Sequence, residues 1–305
     1  MNHAIVTGSN GFVGRALVNI LLEHGVKVTG IDVQDSIARY NGSEIFTFRK
    51  ADTSDLTPTM LQGIGADTFY HLAWGGSAGP GRADYRLQLR NAETTIDMIK
   101  LAHEIGCSKI IVAGSIMEYE TFQATFKKHN KPGLGYVYGA GKLVAHAMGK
   151  AVAAELGIDL VWGQITNTFG VGESSPRFVN TTLRKIIHGE RLSFTSATQN
   201  YDFIYIDDVA RAFYLLGDAG QPFCEYIIGS SEARPLRGFI EEIVEATSTG
   251  VEPQFGDIPY TGVDLPLEIF STDLLKAHTG FIPSVDFKEG IARTYEWLKA
   301  EEKSK

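Results

Sequence analysis

The chain has 305 residues, 44% of them hydrophobic, enough for one large buried core or two modest ones, and its 33 glycines anticipate many tight turns. A net charge of −8, from 36 acidic against 28 basic residues, offers no broad positive field and argues against nucleic acid or an anionic membrane as partner. With only Cys107 and Cys224, and no apolar run approaching the ~20 residues of a membrane span, neither a disulfide framework, a metal site nor a transmembrane segment is expected.

The first residues lead directly into a strand over 4–7 without the pattern of a secretory leader, so a cytoplasmic protein is expected. A helix follows over 12–24, with Val13, Leu17, Ile20 and Leu21 on one face and Gly25 to close it, then a strand over 26–31. Further β-like runs stand at 45–49, 68–73 and 109–113, and a helical stretch at 83–105 ends at Gly106. A helix over 138–156, closed by Gly157, and a strand over 159–163 continue the series. This alternation predicts an α/β fold with a doubly wound parallel sheet. Beyond Asn167 it breaks up into turns, a helix near 177–188, an extended stretch at 201–206 and a helix at 207–216 that starts with Asp207 and Asp208. The expected organisation is a dinucleotide-binding domain over 1–165, with 203–218 returning to it. A smaller, discontinuous α+β substrate lobe takes 166–202 and 219–305, with a ligand cleft between the two.

The turn Gly8-Ser9-Asn10-Gly11-Phe12-Val13-Gly14 lies between the first strand and the first helix. Glycines there let the backbone approach a pyrophosphate, and the helix N-terminus offers free N–H groups, as in a Rossmann-type domain. Asp32 ends the second strand. An acid at that point accepts hydrogen bonds from both ribose hydroxyls and repels a 2′-phosphate, so NAD(H) is expected rather than NADP(H). Arg39 is the lesser candidate for a phosphate ligand.

Tyr138 and Lys142 are four apart in a helical segment and share a face, while Ser115 follows the strand over 109–113, where ligands of open α/β sheets bind. A phenol ionises near pH 10, so a general base at neutral pH needs roughly three pH units of help, about 4 kcal/mol. Lys142 is expected to supply much of it while holding the nicotinamide ribose, and Ser115 to hold the reacting oxygen. Tyr136 has no lysine four residues on and is read as a packing or substrate contact.

The glycine spacing resembles the short-chain dehydrogenase/reductase superfamily, and over nearly the whole chain its extended branch, the NAD-dependent epimerase/dehydratase family. The matching elements are Thr7 to Gly14, Asp32, Ala51-Asp52-Thr53-Ser54-Asp55, His71-Leu72-Ala73, Asn91, Ser115, Tyr138-x-x-x-Lys142, Asn167 and the segment from Asp202 to Asp208. The resemblance implies Asp52 and Thr53 near the adenine and Leu72 and Ala73 beside the cofactor. It also implies a nucleoside-diphosphate sugar, for which Trp74, Ser115 and Asn167 are expected contacts, with Arg177 and Tyr201 added as candidates from this chain's own second lobe, and a homodimer built on the helices at 83–105 and 138–156.

Members that eliminate water across C5 and C6 of a hexose carry Thr-Asp-Glu ahead of Val-Tyr, whereas this chain reads Ser115-Ile116-Met117-Glu118-Tyr119. Ile116 and Met117 transfer no protons, and Glu118, offset by one residue, is expected to face away from the pocket. The expected activity is therefore that of a 4-keto-6-deoxysugar reductase or a 4-epimerase, and not of a 4,6-dehydratase. The stretches His71 to Gly76 and Gly114 to Tyr119 look like the reductase subgroup. Arginines that relatives use for a UDP-sugar pyrophosphate are replaced by Tyr201 and Gln164, and a third is missing near 260–264. Arg177, Arg184 or Arg191 are the substitutes available, and Lys127-Lys128-His129-Asn130-Lys131 reads as an exposed loop. The missing arginines leave open an oxidoreductase of a small non-nucleotide alcohol or ketone, and a reading from another class is an NAD(H)-sensing regulator that does no chemistry.

Overall fold

The structure is a computed structural model that describes residues 1–35, 40 and 42–303; Arg39 lies outside the described residues. In chain order the first half runs β1 (His3–Thr7), α1 (Phe12–Glu23), β2 (Lys27–Asp32), β3 (Phe46–Lys50), α2 (Pro58–Leu61), β4 (Thr68–His71), α3 (Tyr85–Glu104) and β5 (Lys109–Ser115). There follow α4 (Met117–Phe126), α5 (Tyr136–Leu156), β6 (Asp159–Ile165), β7 (Asn167–Phe169), α6 (Phe178–Ile187), β8 (Ser193–Phe194), β9 (Asn200–Tyr201) and β10 (Phe203–Tyr205). The last part comprises α7 (Ile206–Ala219), β11 (Glu225–Ile228), β12 (Arg234–Pro235), α8 (Leu236–Thr247), β13 (Gln254–Phe255), α9 (Asp273–Thr279) and α10 (Phe287–Lys303).

The main sheet has seven strands in the order β11-β6-β5-β4-β1-β2-β3, every pair parallel. Both faces are covered, which is why the central strands β1, β4 and β5 are buried at nearly every position rather than alternating, whereas the edge strand β3 stays largely exposed. In β1, Ala4 and Val6 bury against Leu17, Leu21 and Phe213 of α1 and α7, while Ile5 enters the opposite layer with Ile99 of α3 and Ala145 of α5. Small residues along α5, among them Gly141, Ala145, Gly149 and Ala153, let it lie close against α3 and bring its first turn to the end of β5. Gly157 caps α5 in the left-handed conformation, its N–H bonded to the Ala153 and Ala154 carbonyls. Chain order reverses between β1 and β4, so the crevice beyond their C-terminal ends is where such sheets take ligands.

The smaller lobe packs α6, α8 and α10 around an aromatic centre in which the Phe203 ring lies 5.0 Å from Phe239 and 5.4 Å from Phe287. Two features depart from the sequence reading. The stretch 219–305, assigned above to the lobe, contributes β11 to the main sheet, where Tyr226 and Ile228 bury in the α1/α7 layer. Within 203–218, β10 pairs with β7 in a separate two-stranded sheet, whereas α7 packs on α1. The helix α4 was not anticipated, because the residues it buries, Glu118, Thr121 and Ala124, are mostly polar and form no apolar stripe.

Candidate active site

A groove of about 670 Å³ runs along the C-terminal ends of β1, β2 and β4. Gly8, Asn10, Gly11, Phe12, Val13, Gly14, Asp32, Asp52, Thr53, Leu72, Ala73, Trp74 and Arg177 all line it. Its floor needs the glycines. Gly8 has φ +71°, and a Cβ there would stand 2.8 Å from the Ala73 nitrogen; a Cβ on Gly14 would collide with the Gly8 carbonyl oxygen. Asp32 is held at the rim by the backbone N–H groups of Asn10 and Gln34, which donate to it at 2.9 and 3.0 Å. Asp52 caps the short turn Thr53–Asp55, accepting from the Ser54 N–H at 2.9 Å. Arg15 and Arg90, which the sequence reading did not single out, add positive charge to the wall.

The groove ends at Trp74, and behind that indole stand Tyr138, Lys142 and Ser115. The Trp74 ring meets Tyr138 edge-on at 6.1 Å, and the Lys142 ammonium sits 3.6 Å above its centre. All three polar side chains are buried, Tyr138 being 7% exposed. Ser115 hydrogen-bonds the Tyr138 phenol and accepts from the Met117 N–H at 3.2 Å. Burial holds the phenol above its ordinary range; Arg177, the Ser115 hydrogen bond and Arg82 work against that, and Glu118 reinforces it. Lys142 was expected to act on Tyr138; the cations that reach the phenol in this structure are Arg177 and Arg82. The four-residue spacing does put both on one face of α5, but the Lys142 ammonium turns to the Ala113 carbonyl, 2.7 Å away, and to Trp74. Burial brings Lys142 down to about 7, with Glu118 pulling it back up.

Arg82 was missed. It sits in the short helix Gly79–Ala83, with its guanidinium carbon 4.4 Å from the centre of the Tyr138 ring and an N–H bonded to the Ser77 carbonyl at 3.1 Å. Nothing in a Gly-Pro-Gly-Arg run marks it as part of a site. Within its electrostatic reach lie Glu120 and Tyr201. Burial pushes Glu120 up to about 7, and Arg82 opposes the shift. Tyr201 stacks on Phe203 at 5.8 Å, and burial raises its phenol. Tyr136 takes the Val263 N–H at 3.2 Å.

Other candidates lie elsewhere. Asn167 donates to the Asp202 carbonyl at 2.9 Å and ties β7 to β10 rather than lining the groove. Arg184 pairs with Glu301 at 2.7 Å and Arg191 with Asp257 at 2.7 Å, so neither turns to the site. Arg177 pairs with Glu173 at 3.4 Å at the groove wall. Lys127, Lys128 and Lys131 are exposed. Glu118 does face away from the pocket, into the interior beneath Ser115.

Residues 4–229 match the model of the NAD dependent epimerase/dehydratase family. A dTDP-glucose 4,6-dehydratase from Streptomyces griseus is 23% identical over 97% of this chain and 93% of its own length. A UDP-glucose 4-epimerase from Mycolicibacterium smegmatis is 25% identical over 97% of this chain and 98% of its own. The crystal structure of a UDP-glucuronic acid 4-epimerase from Bacillus cereus, in complex with UDP-glucuronic acid and NAD, superposes with a TM-score of 0.80 at 19% identity, covering 98% of this chain and 99% of that one. The first of these overturns the expectation of an epimerase or reductase set apart from the 4,6-dehydratases. That exclusion rested on Ile116 and Met117, with Glu118 turned away. Glu120, three residues beyond Met117 and so on the same side of α4, gives this chain a further carboxyl group, within reach of Arg82. Among the described residues, no helix is long and apolar enough to cross a membrane. With the match covering well over half of its length, the chain belongs to the NAD dependent epimerase/dehydratase family.

Proposed function

We propose that this protein is an NAD(H)-dependent oxidoreductase that exchanges a hydride at C4 of a nucleotide-activated sugar, the act on which 4-epimerisation and reduction of a 4-keto-6-deoxysugar both turn. The observation that carries this reading is the meeting of Tyr138, Ser115 and Lys142 at the C-terminal end of β5, where the glycine-floored groove stops at Trp74.

The groove fits NAD. Its floor has no side chains where a pyrophosphate would lie, the N-terminus of α1 opens onto it, and Arg15 and Arg90 line it. Asp32 would hold the ribose hydroxyls, with Asp52 and Thr53 at the adenine and Leu72 and Ala73 along the cofactor. When bound, NAD supplies the hydride acceptor and, reduced, the donor. Tyr138 takes the C4 hydroxyl proton on its phenol oxygen in the oxidising direction and returns it in the other. Ser115, whose oxygen accepts from Met117, would turn its one proton from the Tyr138 phenol to the same sugar oxygen. Arg177 and Arg82 lessen the cost of a buried phenolate, and Lys142 holds the nicotinamide ribose. Arg177 also stands where it can take the substrate diphosphate. The exposed Leu89 of α3 and Met148 of α5, each 55% exposed, support a homodimer through those two helices.

The test is to mix the protein with NADH and a panel of dTDP-, CDP-, GDP- and UDP-linked 4-keto-6-deoxysugars, and with NAD and the corresponding 4-hydroxy sugars both with and without a 6-hydroxyl, identifying every product. Turnover of one nucleotide sugar names the substrate, and a reduced, epimerised or dehydrated product names the outcome at C4. Gln164 is buried on Glu118, and Tyr201 stacks in the lobe, so neither offers a diphosphate a cation. That observation favours the second reading, a small non-nucleotide ketone, which reduction of simple ketones alone would support.

A further inference from the structure

We infer that Glu118 is a positioning residue for the Tyr138–Lys142–Ser115 set: a buried carboxylate that anchors the backbone of Ser115 and is the counter-charge beneath Lys142. This rests on the reading of those three as the reacting groups. Glu118 is 2% exposed, and each of its oxygens takes two donors. One oxygen accepts the Ser115 N–H at 2.8 Å and the Trp162 indole N–H at 3.1 Å; the other accepts His146 Nδ1 at 2.8 Å and the Gln164 amide at 3.2 Å. A carboxylate has about four lone-pair sites, and every partner here is a donor, so the surroundings are matched to the anion. Residue 114 must be glycine for this to close, since a Cβ there would stand 2.7 Å from the Glu118 oxygen. Lys142 bonds the Ala113 carbonyl and Glu118 the Ser115 N–H, so the two opposite charges grip the last turn of β5 two residues apart.

The other ionisable groups around this pair are few. His146 lies flat on Trp162 at 4.3 Å and faces Glu225 at 3.4 Å, which also pairs with Lys150 at 2.5 Å. His71 faces Lys142 from β4, held neutral by burial down to about 3; among the described residues Tyr119 and Tyr138 also stand by the pair, Tyr138 in turn feeling Arg177 and Arg82. None of these supplies Lys142 with a negative charge as Glu118 does.

Glu118→Gln separates charge from shape. The Gln164 amide oxygen is buried with no hydrogen-bond partner, so a reoriented Gln164 can accept from the new amide, and His146 can do likewise by moving its proton to Nε2. The hydrogen bonds survive while the charge goes. The measurement is NAD affinity by titration calorimetry from pH 5 to 9 for wild type, Glu118→Gln and Lys142→Met, with melting curves to check folding. In wild type, affinity is expected to fall as pH rises through about 7, where Lys142 loses its proton. In Glu118→Gln that fall is expected about one pH unit lower, with unchanged melting, and in Lys142→Met it is expected to disappear. A fall at the wild-type pH in Glu118→Gln, with the Lys142→Met result as expected, overturns the role of Glu118 alone. A wild-type fall retained in Lys142→Met overturns the reading of Lys142 as the cofactor-facing group, and this inference with it.

Discussion

Replacing Arg82 by Met removes one of the two cations that make the Tyr138 phenolate less costly, and the geometry sets the size of the effect. The guanidinium carbon is 4.4 Å from the ring centre. A unit charge about 5 Å away is worth roughly 3 kcal/mol at an effective dielectric of about 20, and a third to a half of that beside an open groove, or about one pH unit. Loss of the cation raises the phenol, so the acid limb of kcat for alcohol oxidation, which requires phenolate, is expected to move up by about one pH unit. Arg82→Lys keeps the charge and is expected to move it far less. The assay is kcat against pH with the substrate found in the panel, alongside Arg177→Met, which removes the other cation. Glu118→Gln carries the opposite sign, because that anion raises the phenol and its loss lowers it. An acid limb that stays put in Arg82→Met but moves in Arg177→Met would refute the assignment of Arg82.

Gly14→Ala drives a methyl into the Gly8 backbone, a cost of order 3 kcal/mol, and NAD affinity by calorimetry is expected to drop at least 100-fold while the apolar core stays folded. Tyr138→Phe is expected to bind NAD as wild type does and to lose turnover by 100-fold or more; full turnover would remove Tyr138 from the chemistry. His71, bonded to Thr7 and Thr95 and held neutral down to about 3, takes a proton only in the unfolded chain between pH 6.5 and 3. Its share of stability is therefore complete above 6.5 and lost as pH falls, about 2 kcal/mol by pH 5, and urea unfolding of His71→Gln is expected to show a flatter acid dependence than wild type. Met148→Glu combined with Leu89→Glu is expected to yield a monomer in sedimentation, and a wild-type monomer would dispose of the homodimer.

What the sequence determined by itself is local. The strand–glycine turn–helix unit is contiguous, and the demands it makes, no side chain at Gly8 or Gly14 and an acid at Asp32, are met within 32 residues. Tyr138 and Lys142 are legible for the same reason, since helical spacing alone sets them on one face of α5. What the tertiary structure decided is which charges act on which atom. Arg82 arrives from the loop after β4, Arg177 from the start of α6, and both act on a phenol more than 35 residues away in the chain, while the lysine beside that phenol turns instead to Ala113 and Trp74. Likewise Glu118 finds His146, Trp162 and Gln164 only because α4, α5 and β6 converge behind β5, and β11 joins the sheet after a detour through the lobe. Coulomb and hydrogen-bond energies depend on distance through space, and residue spacing reports that distance only within a single helix, strand or turn.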